Sequence, residues 1–277
     1  MKPLAVVTGA TSGIGRATAL RLAEHFTVIG TTRDPASLAD PLPGVSYVAL
    51  DLGDPESIRR CAAEILARGV PEVLVNNAGE SQSGPFEELP REALERLFQV
   101  NVLGHVDLTQ RLVPAMRAAG RGRIVMVGSM LGSLPLAYRS SYVASKAAIK
   151  GFGLAARREL APHGVWVAVV EPGSIATGIS ARRTEYVDKH GPYAAEFETM
   201  VTRLNAAEEG GISADRVARE IMKPVRAARP RAFYARGSFA RVVFPLARLL
   251  PREAMLWIVA RKHGLKGVSR VKVSSKT

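Results

Sequence analysis

Six short runs rich in valine, isoleucine and leucine punctuate this chain, each followed by a longer stretch or a turn that leads back toward the next run. They are LAVVT (4–8), FTVIGT (26–31), VSYVAL (45–50), PEVLVN (71–76), GRIVMVGS (122–129) and VWVAVVE (165–171), with a weaker seventh, RAFYA (231–235). Their near-continuous apolarity lacks the polar alternation of a half-exposed strand and suits strands covered on both faces. Helical patterns such as GIGRATALRLAEH and PREALERLFQVNVLGHVDLTQRLVPAMRAAG lie between them, with room for right-handed crossovers. The expected fold is therefore α/β, a doubly wound parallel sheet of about seven strands in a three-layer α/β/α arrangement. No linker or repeat interrupts the rhythm, so residues 1–277 are expected to form one domain.

Composition narrows the function classes. Hydrophobic residues make up 47% and charged residues 23%, which is enough apolar surface for a full core and no signature of disorder. A single cysteine, Cys61, excludes an internal disulfide framework and suits a reducing, cytoplasmic setting. The N-terminal MKPLAVVTGATSGIG lacks the apolar stretch of a secretory signal, and no run approaches the roughly 18 residues of a spanning helix. The formal charge of +13 is carried by residues 219–277, where 15 Lys and Arg face only Glu220 and Glu253.

Directly after the first run comes TGATSGIG, with Gly9, Gly13 and Gly15, and a helical pattern begins at once. Glycines here allow a tight turn and close approach of a pyrophosphate to free N–H groups at a helix N-terminus, where the dipole favours negative charge. The strand–turn–helix context is the one a dinucleotide site requires. Its spacing, Gly-x-x-x-Gly-x-Gly, differs from the commoner Gly-x-Gly-x-x-Gly.

Further along lie NNAG (76–79), NVLG (101–104), VGS ending at Ser129, YVASK (142–146) and PGSIAT (172–177). With the glycine turn, these motifs over about residues 1–180 resemble the short-chain dehydrogenase/reductase family. The resemblance implies a Rossmann-like fold, binding of NAD or NADP, and hydride transfer at a carbonyl or alcohol. It implies that Tyr142 is the acid/base, that Lys146 supports it and holds the nicotinamide ribose, and that Ser129 hydrogen-bonds the reacting oxygen. Asn101 would hold a water in a proton relay. It further implies that Gly9, Thr11, Ser12, Gly13, Ile14, Gly15, Asp51, Leu52, Asn77, Ala78, Gly79, Pro172, Gly173, Ile175 and Thr177 contact the cofactor.

Elementary chemistry agrees with the catalytic assignments. On a helix, Tyr142 and Lys146 rise from one face, one turn apart. A phenol with a free pKa of about 10 is a poor proton shuttle near neutrality, and a cation within about 4–6 Å stabilises the phenolate. Ser129 belongs at a strand's C-terminal end, where ligands of doubly wound sheets bind. Asn101 sits in a helical run it does not favour, and the resemblance implies a local kink there around a bound water.

For the cofactor, VIGTTRDP places Thr32 where relatives using NAD tend to carry an acid, and Arg33 next to it. Arginine matches a 2′-phosphate, which favours NADP(H) over NAD(H). Asp34 is a competing ribose ligand, although its place before Pro35 suits a turn.

The substrate region is expected at SMLGSLPLAYRS (129–140) and in a loop over about 178–211, with Met130, Leu131, Leu134, Leu136, Ile179, Tyr186, Tyr193 and Phe197 forming a mostly apolar pocket. A loose likeness to family branches acting on retinoids, steroids and other lipophilic alcohols or ketones points the same way. Residues 236–277 form a basic amphipathic extension, which Pro245 and Pro251 are expected to break or kink into short pieces. Two destinations fit it, the protein's own pocket or partner subunit and an anionic membrane surface. No nucleic-acid-binding module and no metal site are recognisable. The resemblance implies a homodimer or homotetramer. The rival to an enzyme is a non-catalytic dinucleotide-binding scaffold or sensor that uses the basic tail for interaction.

Overall fold

A computed structural model describes residues 2–176, 178 and 180–265. The seven runs become strands of one sheet: β1 (Leu4–Val7), β2 (Thr27–Thr32), β3 (Val45–Ala49), β4 (Pro71–Asn76), β5 (Gly122–Val127), β6 (Val165–Pro172) and β7 (Phe233–Arg236). Their order is β7-β6-β5-β4-β1-β2-β3, and every pairing is parallel. The chain therefore winds outward from β1 in one direction and from β4 in the other. The reversal between β1 and β4 is a topological switch point, the place where such sheets open a crevice for ligands.

Both faces are covered, as the unbroken apolarity of the strands requires. Along β1, Val6 joins one core with Ile29, Leu74 and Ile124, while Ala5 and Val7 turn to the other with Val28, Val73 and Val125. The first core is closed by α2 (Pro55–Arg68), α4 (Gly104–Ala118) and α5 (Ser140–Leu160), through Ile58, Ile65, Leu108, Leu112 and Ile149. The second is closed by α1 (Gly13–Ala23) and α7 (Ala214–Arg226), through Ala19, Leu22, Val217 and Ile221. An Arg21–Asp215 ion pair ties α1 to α7 at their rims.

Between β4 and α4 lies α3 (Arg91–Phe98), joined to α4 by a π-helical segment, Gln99–Leu103, with Asn101 at its centre. After β6 the chain makes small two-stranded pairings, Ile175–Ala176 with Ile212–Ser213 and Gln82–Ser83 with Thr184–Glu185, and forms α6 (Ala194–Glu209). The basic extension folds into α8 (Ala240–Leu249) and α9 (Arg252–Lys262). Pro251 breaks the helix as expected and caps α9, whereas α8 continues past Pro245. Among the described residues no helix is long and apolar enough to cross a membrane. Residues 266–277 of the extension lie outside the described residues.

Candidate functional site

β1 hands the chain to a turn with Gly9 at φ +66°, and α1 opens on Gly13 at φ +52°, both in the region that penalises a Cβ. Gly15 is required for space. A Cβ there would stand 2.0 Å from the Gly9 carbonyl oxygen and 2.6 Å from Asn77 Nδ2. Thr8 fastens this turn to NNAG: the Asn77 and Ala78 N–H groups donate to Thr8 Oγ1 at 2.8 and 3.0 Å, and Asn77 Nδ2 donates to Thr8 O at 2.9 Å.

Of the residues expected to hold a cofactor, Gly9, Thr11, Ser12, Gly13, Ile14, Arg33, Asp51, Leu52, Asn77, Ala78 and Gly79 line one groove of about 560 Å³ across the strand ends. Gly15 lies behind its floor. Pro172, Gly173 and Ile175 line an adjoining cavity, and Thr177 lies outside the described residues. At the β2 end Arg33 is exposed beside Thr32. The Asp34 carboxylate turns back to accept from the Ala36 and Ser37 N–H groups at 2.9 and 3.3 Å, the turn that its position before proline suggested. Two arginines not foreseen from the sequence, Arg96 and Arg182, also line the groove. Arg96 is held by Glu80, and Arg182 donates to Ser12 Oγ at 3.4 Å.

Ser129, Tyr142 and Lys146 line the second cavity together, and Asn77, Gly79 and Ile14 belong to both spaces, so groove and cavity meet there. Ser129 caps a single 3₁₀ turn after β5 and accepts from Leu131 N–H at 3.2 Å. Tyr142 and Lys146 occupy one face of α5, both buried, with Lys146 Nζ 5.8 Å from the phenol centroid and donating to Val127 O at 3.1 Å. Asn101 does not line the cavity. Its side chain clamps the chain above, accepting from Glu80 N–H at 2.8 Å and donating to Glu80 O at 3.0 Å and Ser145 Oγ at 3.2 Å. The kink expected of it is the π-helical segment, a feature that recurs at functional sites.

A second buried cation stands over the tyrosine. The Arg139 guanidinium lies 4.3 Å from the Tyr142 centroid and donates to Gln82 O, Ser83 Oγ and Ser81 Oγ at 2.9–3.0 Å. Burial lowers its pKa to about 10, which leaves it charged at neutral pH. Sequence reasoning missed Arg139, although an Arg-x-x-Tyr spacing places the pair one helical turn apart by the same rule that selected Lys146.

Behind the floor, His105 on α4 is buried with Nε2 2.7 Å from Ala78 O and Nδ1 3.2 Å from Asn76 Oδ1. Desolvation, reinforced by the Lys146 charge, pushes its pKa down to about 4 against the support of the Ala78 carbonyl. At the end of β6, burial raises the pKa of Glu171, partly offset by Ser133 Oγ–H donating at 2.6 Å and by Lys150.

The cavity is mostly apolar, and its walls differ in part from expectation. Met130, Leu131 and Leu134 line it as anticipated. Leu136 and Phe197 instead pack with Met200 and Leu204 in a separate cluster, where Tyr138 stacks edge-on against Tyr193 and Phe197. Tyr186 lies against Gly84, and Ile179 is outside the described residues. Further wall comes from Leu204 and Glu208 of α6 and from the basic extension, Val243 and Leu246 of α8 and Met255, Ile258 and Val259 of α9. Among the described residues no group of His, Cys, Asp or Glu is placed to hold a metal.

The arrangement can bind a dinucleotide along the groove and present one end of it to a phenol, a hydroxyl and two cations. Comparison with known proteins agrees. The chain is 33% identical to a short-chain dehydrogenase from Streptomyces avermitilis whose structure superposes with a TM-score of 0.80, over 94% of this chain and 97% of that one. A Burkholderia cenocepacia short chain dehydrogenase in complex with NADP is 26% identical, with a TM-score of 0.73 over 93% and 97% of the two chains. A curated relative, the 3-ketodihydrosphingosine reductase of Bacteroides thetaiotaomicron, is 29% identical over 93% of this chain and 94% of its own length. The family profile described as short chain dehydrogenase matches residues 3–188. With that profile matched over the segment that builds the groove and the tyrosine–lysine face, the chain belongs to the short-chain dehydrogenase family of oxidoreductases.

Proposed function

We propose that this chain is an NADP(H)-dependent oxidoreductase that interconverts a ketone or aldehyde with the alcohol of a lipophilic, small-to-medium substrate. The observation that carries this reading is the meeting of the two spaces: the glycine-lined groove and the apolar cavity share Ile14, Asn77 and Gly79, and Ser129, Tyr142 and Lys146 face the cavity at that junction.

The groove fits a nicotinamide dinucleotide. A Cβ at Gly9 would stand 3.0 Å from Ala78 Cβ, and one at Gly79 would stand 2.9 Å from Asn101 Oδ1, so glycine at both positions lets the turn and the NNAG segment pack closely beside the groove. The α1 N-terminus at Gly13–Ile14 would receive the pyrophosphate, Asp51 and Leu52 would bracket the adenine end, and Pro172, Gly173, Ile175 and Thr177 the nicotinamide end. When bound, the cofactor exchanges a hydride with the substrate carbon. Tyr142 gives or takes the proton at the substrate oxygen, Ser129 donates a hydrogen bond to that oxygen, and Lys146 stabilises the phenolate and holds the ribose. Asn101 shapes the backbone beside them, its side chain being taken up by Glu80 and Ser145.

NADP(H) is favoured because Arg33 and Arg182 provide charge for a 2′-phosphate, while Asp34 is engaged by its own loop. The Burkholderia relative with NADP bound supports the same choice. An apolar substrate suits the cavity walls, and the relative named for a 3-keto substrate and its reduction supports a ketone. The whole chain acts as one unit in a reducing cytoplasm, consistent with its free, buried Cys61. A homodimer or homotetramer is supported by Phe152 and Leu154, exposed on α5.

The test is Tyr142→Phe with NADPH and a panel of lipophilic ketones. NADPH affinity should be unchanged while kcat falls roughly 10²–10⁴-fold. Turnover equal to that of the parent chain would remove Tyr142 as the acid/base.

A further inference from the structure

We propose that α8 and α9 form a two-faced cover whose outer face docks on an anionic membrane surface, with the apolar cavity directly beneath. The inner face is occupied. Ala240 and Met255 are buried against Met130 and Leu134, beside Ser129, and Val243, Leu246 and Val259 complete that cluster.

The outer face has no such partner among the described residues. It exposes Phe239 at 81%, Val242 at 63%, Leu249 at 81% and Trp257 at 54% of their surface. Single exposed apolar residues need no explanation, but a group of this size on two adjacent helices does. Phe239 and its neighbour Ser238 hold left-handed backbone angles (φ +56° and +42°), an unfavourable conformation for side-chain-bearing residues that presents the phenyl ring to solvent.

Charge selects the occupant. Exposed Arg241, Arg248, Arg252 and Arg261 flank the apolar group, and Glu253 is the single acid within residues 236–265. A second copy docking by this face would set cations against cations. An anionic bilayer offers both things the face lacks, an apolar layer and negative headgroups. The Trp257 indole, with the Arg261 guanidinium 5.3 Å from its centroid, has the aromatic-plus-cation form that sits at such interfaces.

Docking in this pose brings the cavity mouth to the lipid, so that a lipophilic substrate enters from the bilayer. That consequence rests on the catalytic reading; the docking itself does not. The experiment therefore measures binding alone, on the full chain without substrate. It should sediment with phosphatidylcholine vesicles containing about one-third phosphatidylserine, shift its tryptophan emission to shorter wavelength, and stay in the supernatant with phosphatidylcholine alone. Phe239→Ser with Leu249→Ser, and separately Arg241→Gln with Arg248→Gln, should leave the thermal midpoint within a degree or so; the arginine pair should weaken vesicle binding by roughly 30-fold. The proposal is overturned if the full chain ignores the anionic vesicles, if both variants sediment like the parent, or if the same substitutions abolish a self-association that excludes vesicles.

Discussion

His105 should make the folded chain lose stability in mild acid. In the unfolded chain its imidazole titrates at an ordinary pKa near 6.5, whereas burial against β4 pushes it down to about 4 in the folded state. Below pH 6.5 the unfolded chain therefore takes up a proton that the folded chain refuses. The stability present above that pH is lost as pH falls, and the loss from this group is complete near pH 4. At about 1.4 kcal/mol for each tenfold step, that interval is worth about 3 kcal/mol. Carboxylates contribute their own acid losses, so the informative quantity is a difference. Urea unfolding of the parent and of His105→Gln, at about pH 7 and about pH 4.5, should show the variant less stable at the higher pH and the gap largely closed at the lower. Gln is chosen because its amide can still donate to Ala78 O. Parallel pH dependence in the two proteins would refute the reasoning. It would mean that the imidazolium is accommodated, with Nε2–H donating to Ala78 O and Nδ1–H to Asn76 Oδ1, the two oxygens already 2.7 and 3.2 Å from the ring.

Two further substitutions test the floor and the tyrosine. Gly15→Ala drives a methyl into the Gly9 carbonyl and Asn77, and should lower stability by about 1–3 kcal/mol and weaken NADPH binding, read by thermal melting and by quenching of nucleotide fluorescence. Arg139→Met removes the desolvated cation over Tyr142 and should lower kcat roughly 30-fold with the basic limb of its pH profile moved to higher pH, while Arg139→Lys restores part of both; a profile unmoved by Arg139→Met would leave Arg139 as a fastener of Ser81–Ser83 alone.

β1, β2, β4, β5 and β6 were legible because each is buried on both faces, and a strand without alternation is hard to mistake once a helical pattern follows it, whereas the edge strands β3 and β7 are only partly buried. The groove was legible for a similar reason: glycine, asparagine and serine at strand ends are dictated by space and by free N–H groups that one short segment supplies. Asn101 marked a departure from a regular helix, and the π-helical segment is that departure. Pro245 lies within α8 without ending it. Both Pro245 and Arg241 face outward on α8, so the carbonyl of Arg241 that loses its donor meets water and the helix persists. The cavity wall was not legible, since Val243 or Val259 meets Met130 and Leu134 across more than a hundred residues of chain, and periodicity says which face of a helix is apolar but not what it covers. Tyr193 and Phe197 are aromatic residues of the right region that each pack against Tyr138 instead.

The position of charge around Tyr142 sets this site apart from an ordinary buried helix face. Two cations, Lys146 and Arg139, are buried within 6 Å of one aromatic ring, and among the described residues neither has a carboxylate partner. Their hydrogen bonds go to neutral groups: Val127 O for Lys146, and Gln82 O, Ser81 Oγ and Ser83 Oγ for Arg139. Burying a cation without a counter-ion is costly, and a fold that needed only stability would place an acid beside them. The buried acid at hand, Glu171, is turned to Ser133 and Lys150 on the far side of the 3₁₀ turn. The positive potential is thereby left for whatever negative charge arises at the ring. On the proposed chemistry that charge is the Tyr142 phenolate, formed whenever its proton passes to a substrate oxygen, and the two cations favour that step, with Glu208 and Glu185 acting on Arg139 without a direct hydrogen bond.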